Sequence, residues 1–178
     1  MKARNEDTKR FEQLILPHLN AAHNLARWLL RDAAAAQDVV QESSLRAFAA
    51  INRFVGENAR AWFLTIVRNQ CYTWLKQQTG KHYVDIDDEA AMSEKDKAAL
   101  ANTDTPEVLA ERMQNAAAMQ QALEALSVIF REVIILKELE ELSYKEIAAV
   151  TGMPIGTVMS RLARGREMLK KELLRNDQ

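Results

Sequence analysis

The chain has 178 residues, 48% apolar and 28% charged, enough to bury a core in one compact domain or two small ones. Five Gly and three Pro argue against a turn-rich all-β protein, and one Cys with three His leaves little room for disulfide or metal chemistry. The formal charge of −1 hides a division: residues 1–80 hold 11 basic and 7 acidic groups, residues 81–112 hold 4 and 9, and residues 113–178 hold 9 and 9.

No apolar run approaches the roughly 18 residues of a membrane span, and no signal-peptide pattern opens the chain. No membrane insertion and a cytoplasmic location are therefore expected. Strand alternation is absent and 3.6-residue periodicity runs through both ends, so the expected class is all-α.

The first predicted helix covers residues 8–30, with a break near Pro17. Asp32 then caps a helix over 33–51. Ala36, Val40, Ala47 and Ile51 share one side of it, while Asp38, Gln41, Glu42 and Leu45, at i, i+3, i+4 and i+7, share another. An acidic face carrying a leucine suits a basic-rimmed protein partner better than nucleic acid. An ordinary solvated helix face would carry the same residues.

Asn58 opens the next helix, 59–77, whose inner side is Phe63, Leu64, Val67, Cys71, Trp74 and Leu75. Trp62, Thr65, Asn69, Tyr72, Thr73 and Lys76 are expected to face outward, with Arg60 and Arg68 nearby. Rings interleaved with amides, hydroxyls and cations suit single-stranded nucleic acid, because rings stack bases and cations hold phosphates. The preceding loop, residues 54–58, suits an extruded base. The competing arrangement packs Trp62 and Tyr72 against the first helix.

Residues 79–105 lack sustained periodicity and are rich in Asp, Glu, Lys and Ala, which reads as a flexible acidic linker between two small helical domains, 1–78 and 106–178. Thr105 and Pro106 open a helix over 106–124, and another follows over 127–139. Ser143-x-x-Glu146 is a capping box for a helix over 143–151, which Gly152 stops before a last helix over 155–175. This is a helix-turn-helix pattern. Ile155, Val158, Leu162, Leu169 and Leu173 form its buried stripe; Gly156, Thr157, Ser160, Ala163, Arg164 and Lys171 lie opposite, with Arg161 on the flank. Small residues let such a helix enter the major groove, where Ser and Thr bond base edges and Arg takes guanine. A solvated hairpin with a basic end is the plainer reading.

Cys71 lies on an apolar side with no His at helical spacing, and His18, His23 and His82 do not form a ligand set. With no phosphate-cradling Gly loop and no paired carboxylates, no catalytic residue, metal or cofactor is expected, and the chain does not read as an enzyme.

Three stretches taken together, DAAAAQDVVQESSLRAF (32–48), FVGENARAWFLTIVRNQ (54–70) and ELEELSYKEIAAVTGMPIGTVMSRLARGREML (138–169), resemble the extracytoplasmic-function sigma factors. The resemblance covers about residues 11–77 and 115–175. It implies a bacterial initiation factor that binds core RNA polymerase and directs it to promoters. It implies that Asp38, Gln41, Glu42 and Leu45 dock on the polymerase clamp helices. Reading and melting of the −10 element would fall on Gly56, Asn58, Arg60, Trp62, Thr65, Arg68, Asn69, Thr73 and Lys76. Reading of the −35 duplex would fall on Thr157, Ser160, Arg161 and Arg164. Core polymerase, promoter DNA and an anti-sigma factor are the implied partners, with a monomer outside complexes. Ser44, Gln37 and Met159 depart from the family's usual large apolar residue, acid and Arg.

Promoter elements one and a half turns apart lie roughly 50–55 Å from each other, whereas a flexible tether of this length averages roughly 25–30 Å. Both domains reach one promoter only if a partner holds the tether stretched. The absence of a basic excess predicts weak duplex binding by the chain alone. The alternatives are an autonomous helix-turn-helix regulator with an N-terminal sensing or dimerising domain, and a helical protein adaptor. Base-stacking rings at 62–76 have no use in the first, and Thr157, Ser160 and Arg164 none in the second.

Overall fold

The computed structural model describes residues 2–79 and 116–176. The acidic stretch read as a linker, apart from Thr79, lies outside the described residues. So do Thr105, Pro106 and the first half of the helix expected over 106–124.

Every regular element among the described residues is helical, as the periodicity requires. α1 (Lys2–Leu14) and α2 (Leu19–Leu30) are joined by a tight 3-10 turn, Leu16–His18. Pro17 lacks an N–H, which such a turn tolerates and a continuous α-helix does not. α3 (Ala33–Ala50) starts where Asp32 Oδ1 accepts from the Ala35 N–H at 2.9 Å, and α4 (Ala59–Thr79) where Asn58 Oδ1 accepts from the Ala61 N–H at 2.8 Å. Each cap satisfies an N–H that the helix itself leaves unpaired.

In the second half, α5 (Ala116–Ala125) is followed by α6 (Val128–Ile134), which widens into a π turn at Ile135–Leu139. α7 (Tyr144–Thr151) and α8 (Ile155–Asn176) form the helix-turn-helix. Both halves of the capping box are present: the Glu146 N–H donates to Ser143 Oγ at 3.2 Å and the Ser143 N–H donates to Glu146 Oε2 at 2.8 Å. Gly152 ends α7 at φ +72°, left-handed backbone that a side chain would strain.

That backbone bond from Ser143, then the Asn58 amide, holds the Glu146 carboxyl below its ordinary value of 4.5. A depressed carboxyl contributes stability fully above the unfolded value and loses it as pH falls through the folded one. Melting temperatures recorded between about pH 3 and 6 are thus expected to fall in acid, and Glu146→Gln to flatten the acid limb.

α2 packs between α3 and α4, and α8 packs on α5, α6 and α7. Gly165 is buried on α8, and a Cβ there would meet Ile134 Cδ1 at 3.0 Å, so the close approach of α8 to α6 depends on its small size. Val158, Leu162, Leu169 and Leu173 are buried as the stripe predicts, but Ile155 is 46% exposed. As the first residue of α8, Ile155 stands beyond the edge of the surface that the rest of the stripe meets. The two halves do not stand apart: α4 lies along α7, α2 lies along α6, and the buried residues of both form one continuous cluster.

Candidate nucleic-acid and polymerase interfaces

On α3, Ala35, Ala36, Val39, Val40, Ser43 and Ala47 turn inward. The other side carries Asp38, Gln41, Glu42 and Leu45, all exposed, with Leu45 at 61%. A single exposed leucine is ordinary on a helix face, so what distinguishes this face is Leu45 together with the carboxylates of Asp38 and Glu42. Glu42 pairs with Arg46 at 2.8 Å, an exposed i,i+4 pair worth little. Ser44 Oγ donates to the Val40 carbonyl at 2.8 Å, so the polar residue at this position bonds its own helix.

On α4, Phe63, Leu64, Val67 and Cys71 are buried. Burial first, and Glu132 second, push the Cys71 thiol up to about 12, which keeps it neutral and unreactive. The loop ahead of α4 has a pinned base and an open tip. Phe54 stacks on Trp62 with ring centroids 4.7 Å apart, and Arg10 donates to the Phe54 carbonyl. Val55 is 96% exposed, and Gly56 and Asn58 are exposed beside it. A Cβ at Gly56 would come within 3.0 Å of the Phe54 ring, so glycine keeps the tip close to the stack. Trp62 is half-buried by that stack, and Asn69, Thr73 and Lys76 are exposed farther along α4. Thr65 Oγ1 and Thr73 Oγ1 donate to the Ala61 and Asn69 carbonyls at 2.7 and 3.0 Å, leaving each oxygen able to accept.

Three of the nominated residues are engaged by the second half of the chain. Asn58 Nδ2 donates to Glu146 Oε1 at 2.7 Å. Arg60 Nη2 donates to Glu140 Oε2 at 3.0 Å and to the Glu140 carbonyl at 2.7 Å. Arg68 donates through Nε to Glu132 Oε2 at 3.0 Å and through Nη2 to Glu132 Oε1 at 3.2 Å, and Glu132 is fully buried. Burial alone would lower the Arg68 pKa, but Glu132 beside it more than offsets this and the net direction is upward. The Arg68 guanidinium lies 4.2 Å over the Tyr72 ring. Tyr72, expected to face outward, has a buried hydroxyl instead, because α4 is covered here by the second half. Burial is the main reason its pKa is raised.

Sequence reasoning missed these glutamates. The available signals were Glu132 inside the apolar run VIFREVIIL, and 6 acidic against 3 basic residues over 113–150. A carboxylate amid apolar neighbours needs a cationic partner.

On α8, Gly156 is exposed and Thr157, Ser160, Arg161 and Arg164 are half-buried; Thr157, Ser160 and Arg164 share the side away from the stripe, with Arg161 on its flank. Ser160 Oγ donates to the Thr157 carbonyl at 3.0 Å. Met159, 40% exposed, flanks them. Arg166 pairs with Glu138, and Lys171 with Glu167 at 2.8 Å, which ties both to neighbours within this half. Among the described residues no three or more His, Cys, Asp or Glu are grouped to hold a metal, and no helix is long and apolar enough to cross a membrane.

Residues 14–80 match the family model for sigma-70 region 2, and residues 116–169 match that for sigma-70 region 4. The chain is 33% identical over 171 residues to the RNA polymerase sigma-H factor of Pseudomonas aeruginosa, covering 94% of this chain and 88% of the relative. It is 34% identical over 138 residues to the ECF RNA polymerase sigma-E factor of Salmonella typhimurium, covering 76% and 72%. The chain belongs to the extracytoplasmic-function sigma factors. A further sigma factor, SigW of Bacillus subtilis, is 28% identical with 94% and 90% covered. The solved sigma factor RpoE, in complex with the anti-sigma factor NepR from Bartonella quintana, aligns at TM-score 0.69 and 28% identity over 96% of this chain and 99% of that one. CnrH, in complex with the cytosolic domain of CnrY, aligns at 0.67 and 25% over 99% and 95%. This sigma factor is a transcription initiation factor and not an enzyme. Region 2 and region 4 models together match both halves of the chain, so the N-terminal half is a sigma-70 region 2 and not the sensing or dimerising domain of that alternative.

Proposed function

We propose that this sigma factor joins core RNA polymerase to promoter DNA through three surfaces, with residues 1–78 acting as region 2, 79–105 as the linker and 106–178 as region 4. The exposed α3 face of Asp38, Gln41, Glu42 and Leu45 docks on the polymerase clamp helices. The open loop tip at Gly56 and Asn58, with Arg60, Trp62, Thr65, Arg68, Asn69, Thr73 and Lys76 along α4, captures unstacked −10 bases and holds their phosphates. Thr157, Ser160, Arg161 and Arg164 read the −35 duplex. The observation that carries this reading is the pairing of a 96%-exposed Val55 tip with a pinned Phe54–Trp62 stack. A loop held open beside a ring suits one extruded base and serves no packing purpose. The similar solved sigma factor RpoE is bound to the anti-sigma factor NepR, which supports a protein of that kind as a third partner here, and a cytoplasmic site of action follows from working on DNA.

Transcription with purified bacterial core enzyme and a panel of promoters tests the reading. Specific product is expected only when this chain is added; no product from any promoter would overturn it. On a responsive promoter Arg164→Ala is expected to cost roughly 1–3 kcal/mol at one −35 base pair and little at the −10. Equal losses at both elements would remove Arg164 from −35 reading.

A further inference from the structure

We infer that Arg10 is a positioning residue for −10 base selection: it holds the Phe54 carbonyl, and through it the pose of the loop at residues 55–57 that takes the extruded base. This rests on the −10 role proposed above and adds to it a residue outside α4 and its loop.

Three elements converge on Phe54. Its N–H donates to the carbonyl of the fully buried Ile51 at 3.3 Å, which ties it to the 3-10 turn Ile51–Arg53 after α3. Its ring stacks on Trp62 of α4. Its carbonyl accepts from Arg10 of α1, 44 positions earlier in the chain. The next residue, Val55, is 96% exposed. The Phe54 carbonyl belongs to the peptide that joins Phe54 to Val55, so Arg10 grips the last held unit of backbone before the tip.

That grip supplies what the other two contacts do not. Phe54 is extended, at φ −68° and ψ 115°, and its ψ sets the direction in which the chain leaves for the tip. The ring stack and the N–H bond both act on the near side of that rotation, whereas the carbonyl bond fixes it. Arg10 is itself well seated: it is half-buried, and its neighbour Phe11 packs edge-on against Phe48 of α3 with ring centroids 5.5 Å apart. A guanidinium donating to a carbonyl makes a charge-assisted bond, stronger than a neutral one.

Fixing the backbone bears on choice of base more than on strength of binding. A loop free to turn adapts its polar groups to any base, while a fixed one leaves the wrong base with unpaired groups. Gly56 acts on the same stack from the tip side, because a Cβ there would meet the Phe54 ring at 3.0 Å.

The test uses the full chain assembled with core enzyme as wild type, Arg10→Ala, Arg10→Met, Arg10→Lys and Gly56→Ala, each checked by melting temperature. Fragments of a responsive promoter with a pre-opened −10 bubble, each non-template base replaced in turn by the other three, are titrated by fluorescence anisotropy at several salt concentrations. Wild type is expected to prefer one base by at least about ten-fold at one −10 position. Arg10→Ala should cut that preference to about three-fold or less, with preferences elsewhere and the salt slope unchanged. Gly56→Ala should act at the same position, and Arg10→Lys, which keeps a donor for the carbonyl, should recover part of the preference. A preference retained in Arg10→Ala would reduce Arg10 to a stabiliser of α1. Uniform loss over all bases with a shallower salt slope would make it a phosphate contact; either result removes it from positioning. An Arg10→Ala effect at a position that Gly56→Ala leaves unchanged would separate Arg10 from the loop. If Arg10→Ala fails to fold, Arg10→Met, which keeps the packing of the stem without its donor, decides by the same readings. Wild type with no preferred base at any −10 position would instead remove the −10 reading itself.

Discussion

Reversing charge at Asp38 and Glu42 with lysine is expected to abolish co-purification with core RNA polymerase while leaving the melting temperature close to wild type. Both residues are exposed, neither caps a helix, and among the described residues the contact at stake is the exposed Glu42–Arg46 pair. The fold therefore has little to lose. At an interface of opposite charges the same change sets like against like, which costs several kcal/mol and lowers affinity on the order of a hundred-fold or more. Leu45→Ala should weaken association without changing its salt dependence, since it removes apolar area alone. Retained co-purification of the double lysine variant would move the polymerase contact off α3.

The second large effect is expected at promoter opening. Trp62→Ala removes a ring worth about 1–3 kcal/mol per stacked base, and it also releases Phe54, whose ring rests on it. Asn69→Ala removes a further polar contact of about 1 kcal/mol from an exposed position whose loss leaves the core untouched. Together they should block permanganate-detected opening while initial closed binding, carried by polymerase and the −35 contacts, falls much less. Equal losses in both steps would argue against a melting role for α4.

The parts of this structure that the sequence made legible are those written in local patterns. Asp32, Asn58 and the Ser143–Glu146 box each announce a helix start within a few residues, and Gly152 announces a stop. The buried stripes of α3, α4 and α8 follow from spacing, because one face of each helix must leave water. Ile155 departs from its stripe because periodicity gives direction but not where the opposing surface ends. The Arg68–Glu132 pair spans 64 positions, and no local rule links an arginine on one helix to a glutamate that far along. Tyr72 departs from its expected outward position for the same reason: its helix alone leaves it in solvent, and the second half covers it. The α3 face was legible as a pattern, and the structure adds that no described element covers it.

The claim beneath all of this is that the chain supplies recognition while the polymerase supplies the scaffold. Affinity for one promoter, measured with and without core enzyme at fixed salt, tests it most directly. Weak binding with little sequence preference is expected from the chain alone, and tight, promoter-specific binding once core enzyme is added. Nanomolar, sequence-specific duplex binding in the absence of polymerase would contradict it.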